Sequence, residues 1–332
     1  MDLRFAAYFV GNRPQVTWAW DLSDRNLSFL RGIDAGYFEH VAVTEGGLID
    51  SDGSQYAAAA LRVAYGQGLE TLMALASAAM QAPRCVIGWM LAYRNEDLRT
   101  VVEAATRGGV PIERDPSVSN PSFASLAQSV LGSCQWEPEK RNRLAVHFGR
   151  LWSRWGAEFL DQRATSEYNS FKHGMRASLG GLHLAIGVED TYGVAARPEA
   201  MVSLGGSEFG STFFCAEDIH TRLHQYPRRT SRNWSPLAMA HALHLLAMSI
   251  ENVVSYLRII GGDDPSECRF TTPSAEESFE LPWQDSSGIT FTNMDLVVRS
   301  DQINAFTKNE VLAILKSAKT ANVGQPEGEP AG

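Results

Sequence analysis

Apolar residues recur along most of this chain at the three- and four-residue steps of an amphipathic helix. The spacing predicts a helix over 54–81, which Pro83 ends, and another that begins near Asn95. A short helix is expected over 123–131, and a long amphipathic stretch over 138–179. The apolar side of that stretch consists of Phe148, Leu151, Trp152, Trp155 and Phe159. The span 54–179 is therefore predicted to be helical.

The pattern changes after this stretch. Residues 182–188 and 201–214 alternate loosely and carry Gly, Ser, Thr and aromatic residues, which is typical of short strands joined by tight turns. We predict a β-containing region over 182–219. Further strands are expected near 289–291 and 295–299, within a mixed region over 262–320.

Two further helices are marked by their first residues. Ser235 followed by Pro236 is a capping residue with proline in the first helical position, and it predicts a helix over 235–260. Thr307 and Glu310 form a capping-box pattern that predicts a final helix. The Gly/Pro/Glu-rich tail, 324–332, is expected to be disordered.

These elements together predict a mainly α protein with a smaller antiparallel β element, an α+β fold with a helical bundle at its core. No clear linker divides residues 1–323, so we expect them to form a single unit. Residues 1–52 are aromatic and irregular, and their structure is not predicted.

Composition limits the classes of function. The chain has 332 residues, 44% of them hydrophobic, and a net charge of −9, which argues against a protein coated overall by nucleic acid or anionic lipid. Any site for a polyanion must therefore be local. The four cysteines stand singly, as free thiols do in a reducing cytoplasm.

The longest apolar stretch, 237–260, is interrupted by His, Glu, Asn and Arg side chains, so we expect a buried helix and no membrane span. The N-terminus shows no signal peptide pattern. We predict a cytoplasmic protein that does not associate with a membrane.

The segment 167–176 carries the best candidate chemistry. At about 100° per residue, four of its polar side chains fall within an arc of roughly 100° if the segment is helical, namely Asn169, Lys172, His173 and Arg176. The imidazole could serve as general base or acid, the two cations could clamp a phosphate, and the amide could orient the reacting group. The alternative is structural: the amide and imidazole satisfy buried groups, and the cations pair with carboxylates.

This segment resembles the motif of HEPN-like helical domains, many of which are ribonucleases or RNA-binding partners in bacterial toxin and defence systems. Their motif stands near the start of a helix and consists of an Arg, then a polar residue that is often Asn, three variable residues and a His. Asn169 and His173 match the Asn and His, but Tyr168 stands where the Arg belongs. The resemblance covers about ten residues of the chain, and it implies an RNA substrate and a homodimer with a composite site. An inactive, RNA-binding or purely structural version is equally compatible with the missing Arg.

A second candidate is a basic loop in which arginines alternate with aromatic residues. Arginine for phosphates and aromatic rings for base stacking are the composition of a single-stranded nucleic-acid contact. An ordinary surface loop is the alternative. The residues concerned are Arg222, Tyr226, Arg228, Arg229, Arg232 and Trp234.

The third candidate is a metal site. His220 and His224 have the i,i+4 spacing that can hold a divalent cation, with Glu217 and Asp218 just before them. No third distant ligand is marked, so we predict no bound metal and no cofactor. A metal-dependent hydrolase remains the minor alternative for the function.

The leading hypothesis is a bacterial cytoplasmic protein that binds or cleaves RNA. The competing hypothesis is an interaction or scaffold protein without enzymatic activity, in which the same polar cluster stabilises a helix junction. The sequence contains no dinucleotide-binding, nucleophile-elbow or kinase motif, which disfavours the common nucleotide enzymes.

Overall fold

Helices make up most of this protein, as shown by a computed structural model that describes residues 4–107, 122–219, 223–284, 290–293, 301 and 303–323, with side chains as far as residue 316. Short antiparallel strands form the rest of its regular structure. The predicted α+β class, mainly helical with a smaller antiparallel part, is confirmed.

The N-terminal region, which the sequence left unassigned, folds into a hairpin and two helices: β1 (Phe5–Val10), β2 (Arg13–Trp18), α1 (Leu22–Arg31) and α2 (Gly36–Gly46). Gly11 makes the hairpin turn with a φ of 61°, a conformation that glycine adopts without strain. The buried amide of Gln81 donates to the Gly11 carbonyl (2.7 Å) and accepts from its N–H (2.9 Å), which anchors the hairpin to the helices.

The helical bundle follows in five elements: α3 (Ser54–Gln81), α4 (Val86–Ala92), α5 (Asn95–Arg107), α6 (Phe123–Gly132) and α7 (Pro138–Leu160). The apolar spacing correctly predicts α3, α6 and the first residue of α5. Trp152 and Trp155 of α7 are fully buried, as the apolar side of that stretch predicts. The interior is thus built from the faces that the periodicity identified.

The long helical stretch predicted over 138–179 is wrong in its second half. The chain breaks at Asp161, whose carboxylate accepts the N–H groups of Arg163 and Ala164 and so caps a separate helix, α8 (Gln162–Lys172). After α8 the chain turns into a strand, β3 (Ala177–Leu179). Apolar spacing survives a break of this kind, because a cap changes the direction of the helix without changing which residues are apolar.

Besides the β1-β2 hairpin, the described strands form two sheets. The strands after β3 are β4 (His183–Ile186), β5 (Val202–Gly206), β6 (Gly210–Asp218), β7 (Gln225–Asn233) and β8 (Phe291–Asn293). The larger sheet is antiparallel in the order β3-β6-β7-β8, and β4 pairs with β5 alone. The strands expected within 182–188 and 201–214 are confirmed, whereas β7 was not predicted as a strand. The strand expected over 295–299 lies outside the described residues.

The predicted apolar helix is α9 (Pro236–Gly261), and it runs through the bundle against α1, α2, α3 and α6. Ser235 caps it through a hydrogen bond from the Ala238 N–H (3.2 Å). Of the described helices, α9 is the one long and apolar enough to cross a membrane, but 67% of its most apolar window is buried inside the protein. Burial of this extent is typical of a helix in the core of a protein.

The final helix, α10 (Lys308–Val323), begins with the predicted capping box, in which Glu310 accepts from the Thr307 N–H at 2.7 Å. The tail 324–332, for which disorder is predicted, lies outside the described residues.

Candidate functional site

The predicted cluster at 167–176 lies at the end of α8 rather than along one helical face. The His173 N–H donates to the Asn169 carbonyl (3.0 Å) and closes the helix, and Gly174 and Met175 then adopt positive φ angles of 106° and 50°. Arg176 follows this turn, with its N–H on the Ser170 carbonyl (2.7 Å). The prediction that Arg176 shares a helical face with Asn169 is therefore wrong, because a left-handed turn separates them.

The four side chains of the cluster have different surroundings. Lys172 Nζ lies 2.9 and 3.0 Å from the two carboxylate oxygens of Glu70, so its charge is already paired. Asn169 lines a cleft between helices. His173 and Arg176 are exposed to solvent. For Lys172, the ion pair is what the structural alternative predicts.

The residue in the place of the HEPN-like Arg is packed into the bundle. Tyr168 lies so close to α3 that a Cβ added to Gly66 would be 2.4 Å from its Cδ2 atom. Burial raises the pKa of the Tyr168 phenol above its ordinary value, and the nearby Glu70 carboxylate adds to that effect. The Asn169 to His173 segment spans the C-terminal end of a helix, whereas the family's motif stands near a helix start.

The predicted basic loop is the strand β7, and this correction divides its residues between two faces. Side chains alternate along a strand, so Tyr226, Arg228 and Arg232 lie on one face and Arg229 lies on the other. Arg232, on the first face, turns toward the helical bundle, whereas Arg228 Nη1 pairs with Glu217 Oε1 of the neighbouring strand β6 (2.7 Å). Arg222 lies outside the described residues.

Two residues predicted to contact nucleic acid instead contact Glu167, whose side chain is fully inaccessible to solvent. Arg232 Nη1 donates to Glu167 Oε2 at 2.8 Å, and the indole of Trp234 donates to Oε1 at 2.7 Å. Arg232 and Trp234 therefore do not stand on an open loop as predicted: both donate to Glu167 inside the protein, and the rest of each side chain lines a cleft between the sheet and the helices. The sequence does not indicate that Glu167 is the partner of these two side chains, because it lies more than 60 residues earlier in the chain.

The same carboxylate also receives Arg62 of α3, at 2.6 and 3.1 Å, and the Ser211 hydroxyl of β6 at 2.9 Å. Burial alone would raise the pKa of Glu167, but the charges of Arg62 and Arg232 outweigh it, and the pKa lies below its ordinary value. We call Arg62, Glu167 and Arg232 the buried ion cluster. It joins α3, α8 and the larger sheet.

A second carboxylate stands beside this cluster. Glu158 of α7 accepts the Tyr65 hydroxyl at 2.6 Å and a longer contact from Arg232 Nη2 at 3.3 Å. Burial, with Glu158 close by, raises the pKa of Tyr65 well above its ordinary value, so the phenol stays protonated and donates. Sequence reasoning missed Arg62, Tyr65, Glu158 and Glu167. An arginine within the Ala-rich run of α3 was the available signal, since an apolar helix rarely carries an unpaired charge inward.

Two clefts that are open to solvent adjoin these residues, and a third concave surface lies on the other face of the larger sheet. The helical cleft, about 630 Å³, lies between α3, α5, α7 and α8 and includes Asn169 and Lys172. The sheet-side cleft, about 900 Å³, lies between α7, α9 and β7 and includes Arg232 and Trp234. Arg62, Tyr65 and Glu158 line both clefts and stand between them.

The third surface, the outer groove, lies on the face of the larger sheet that points away from the buried ion cluster. Its volume is about 650 Å³, and its floor includes Ser178 and Thr212, paired across β3 and β6. Phe214 and Arg229 face each other across β6 and β7 and point into it. The full lining is Met175, Arg176, Ala177, Ser178, Thr212, Phe214 and Arg229.

The outer groove thus joins Arg176 of the first predicted cluster to Arg229 of the second. Both guanidinium groups are on exposed residues, and between them stand an aromatic ring, Phe214 at 63% exposure, and the thioether of Met175 at 60%. Arg176 makes one long contact, 3.4 Å from Nη2 to the Asn169 carbonyl. Cations beside an exposed ring are what a strand of nucleic acid requires.

The third sequence candidate concerned a metal. His220 lies outside the described residues, and His224 Nε2 accepts the Phe306 N–H at 2.7 Å. Within the part of the chain that the structure describes, no group of three or more His, Cys, Asp or Glu side chains is arranged to hold a metal ion.

Comparison of this chain with protein-family models, with curated proteins and with solved structures produced no match. The function must therefore be argued from the geometry of the three concave surfaces.

Proposed function

We propose that this protein binds a single-stranded polyanion, RNA by the expectation from sequence, in the outer groove. Arg176 and Arg229 contact phosphates, and Phe214 stacks on a base. The observation that carries the proposal is the meeting of two arginines from separately predicted segments around an exposed aromatic ring.

The charge of the protein makes the location of this groove important. A net charge of −9 repels a polyanion from most of the surface, so binding needs a local concentration of cations. Arginine suits this task because its guanidinium stays charged at any physiological pH and donates in a planar fork that matches phosphate. Two phosphate contacts imply moderate affinity with a clear dependence on salt.

Cleavage of the RNA is a separate question from binding. His173 is exposed and stands three residues before Arg176, but it is not part of the lining of the outer groove. Lys172 is paired with Glu70 and is not available as a second clamp without breaking that pair. Binding is therefore the proposed function, and ribonuclease activity is a further property to be measured.

The test is fluorescence anisotropy with a fluorescein-labelled single-stranded RNA at low salt. We expect Arg176→Gln and Arg229→Gln each to weaken binding by about tenfold, the loss of one charge-assisted contact. Arg150→Gln removes the same charge from an exposed position on α7 outside the groove, and it should leave affinity unchanged.

Equal effects of all three variants would mean that the RNA responds only to net charge, and the groove would be excluded as the site. An original protein that binds no RNA at low salt would contradict the proposal outright. The interaction or scaffold hypothesis would then take its place.

A further inference from the structure

The sheet-side cleft carries charges that the outer groove does not use. Three guanidinium groups line it, those of Arg62, Arg154 and Arg232, against one lining carboxylate, Glu158. The other two carboxylates that pair with these arginines are not part of the lining. Glu167 is fully buried, and Glu280 has 69% of its side chain exposed. The wall that faces the cleft is therefore positive.

The arginines also have unused donors. Arg62 directs Nε and Nη2 to Glu167, and Arg232 directs Nη1 and Nη2 to Glu167 and Glu158. Among the described residues, no protein acceptor is bound by Arg62 Nη1 or by Arg232 Nε. Arg154 makes one long bond, 3.3 Å from Nη1 to Glu280. These donors can serve an anion that enters the cleft.

The rest of the lining combines the polar residues Asn233, Ser235 and Thr290 with apolar and aromatic side chains. The guanidinium carbon of Arg154 lies 3.7 Å from the centre of the Trp283 ring, which is a cation–π contact between two residues that line the cleft. Tyr65, Trp234, Met239 and Pro282 complete the apolar lining.

We propose that the sheet-side cleft binds a small organic anion, a carboxylate or phosphate monoester attached to a flat apolar ring. The anionic group lies against Arg154, Arg232 and Arg62, and the ring packs against Trp283 and Trp234. This site is independent of the outer groove, because Arg232 and Arg229 project from opposite faces of β7.

The test uses the full chain and phenyl phosphate as probe, with binding followed by isothermal titration calorimetry and by saturation-transfer NMR of the probe. Inorganic phosphate supplies the charge without the ring, benzyl alcohol the ring without the charge, and benzylamine the opposite charge. We expect phenyl phosphate to bind at millimolar concentration or below. Inorganic phosphate and benzyl alcohol should bind at least about tenfold more weakly, and benzylamine should not bind.

The variant is Arg154→Gln, which is tolerable to the fold because 48% of the side chain is exposed. It should weaken phenyl phosphate binding by about tenfold and leave the RNA affinity unchanged. Arg150→Gln, one turn earlier on the same face of α7 but outside the cleft, is the matched control and should change neither.

Trp283→Leu supplies an independent check, since it removes the ring beneath Arg154 and should weaken phenyl phosphate more than inorganic phosphate. Absence of phenyl phosphate binding at millimolar concentration would overturn the proposal. So would equal binding of benzylamine, or equal effects of Arg154→Gln and Arg150→Gln.

Discussion

Arg232 of β7 and Glu167 of α8 meet inside the protein, with Nη1 and Oε2 2.8 Å apart and the carboxylate fully buried. This contact sets which face of β7 turns inward. A shift of one residue in the strand would exchange the two faces, and Arg229 would then point into the bundle. The buried ion pair therefore decides that Arg229 reaches solvent and the outer groove.

The first prediction is that Glu167→Gln destabilises the protein by about 3–5 kcal/mol, because Arg62 and Arg232 would stay buried without a counter-charge. Urea denaturation at neutral pH measures this. Glu208→Gln is the control, since Glu208 is exposed in the turn before β6, and it should change stability by less than about 0.5 kcal/mol. Equal stability of the two variants would show that the cluster is not held together by charge.

The second prediction concerns acid. The pKa of Glu167 in the folded protein lies below its ordinary value of 4.5. The stability that its ion pairs contribute is thus complete above about pH 4.5 and is lost as the pH falls through the folded value. Asp263, whose pKa is also lowered by Arg31 and Arg258, acts in the same direction.

Denaturation curves at stepwise lower pH should show falling stability for the original protein and a shallower fall for Glu167→Gln. A parallel fall in both proteins would exclude Glu167 as a source of the acid sensitivity.

The third prediction separates stacking from charge in the outer groove. Phe214→Ala should weaken RNA binding by about 1–3 kcal/mol while the dependence of affinity on salt stays the same. Arg229→Gln should reduce the slope of log affinity against log salt by about 0.7, one released counterion for a single strand. If Phe214→Ala changed the slope of log affinity against log salt but left the affinity at low salt unchanged, the proposal that a base stacks on Phe214 would be contradicted.

The fourth prediction tests His173. Its side chain is exposed and its backbone closes α8, so His173→Ala should change stability by less than about 0.5 kcal/mol. RNA incubated with purified protein is then resolved on a denaturing gel. Cleavage that disappears in His173→Ala at unchanged RNA affinity would assign the imidazole to catalysis. Cleavage that persists unchanged would remove it from the mechanism.

The fifth prediction concerns the contact between α3 and α8. Gly66→Ala places a methyl group 2.4 Å from the Tyr168 ring, and overpacking should cost about 1–3 kcal/mol despite a gain in helix propensity of about 1 kcal/mol. Gly132→Ala is the control, because nothing lies within 4 Å of its added Cβ. Melting temperatures of the two variants, lower for Gly66→Ala and unchanged or higher for Gly132→Ala, would check this.

The arginines and aromatic residues of the candidate site could be predicted only in part from the sequence. Arg176 and Arg229 were both identified by residue type, and both line the outer groove. Arg232 and Trp234 were identified by the same reasoning but donate to Glu167 inside the protein, because composition does not say which face of a strand meets a carboxylate from another element. The homodimer, the cytoplasmic location and the HEPN-like relationship remain predictions.

The sequence by itself determined the local elements: apolar spacing placed α3, α6 and α9, and capping residues placed the starts of α9 and α10. These features depend on interactions between residues a few positions apart, so the sequence is sufficient to predict them. Only the tertiary structure decided where Glu167 finds its arginines and which arginines remain at the surface. Such pairs join residues far apart in the chain, and whether a charge is buried depends on what the rest of the fold brings against it.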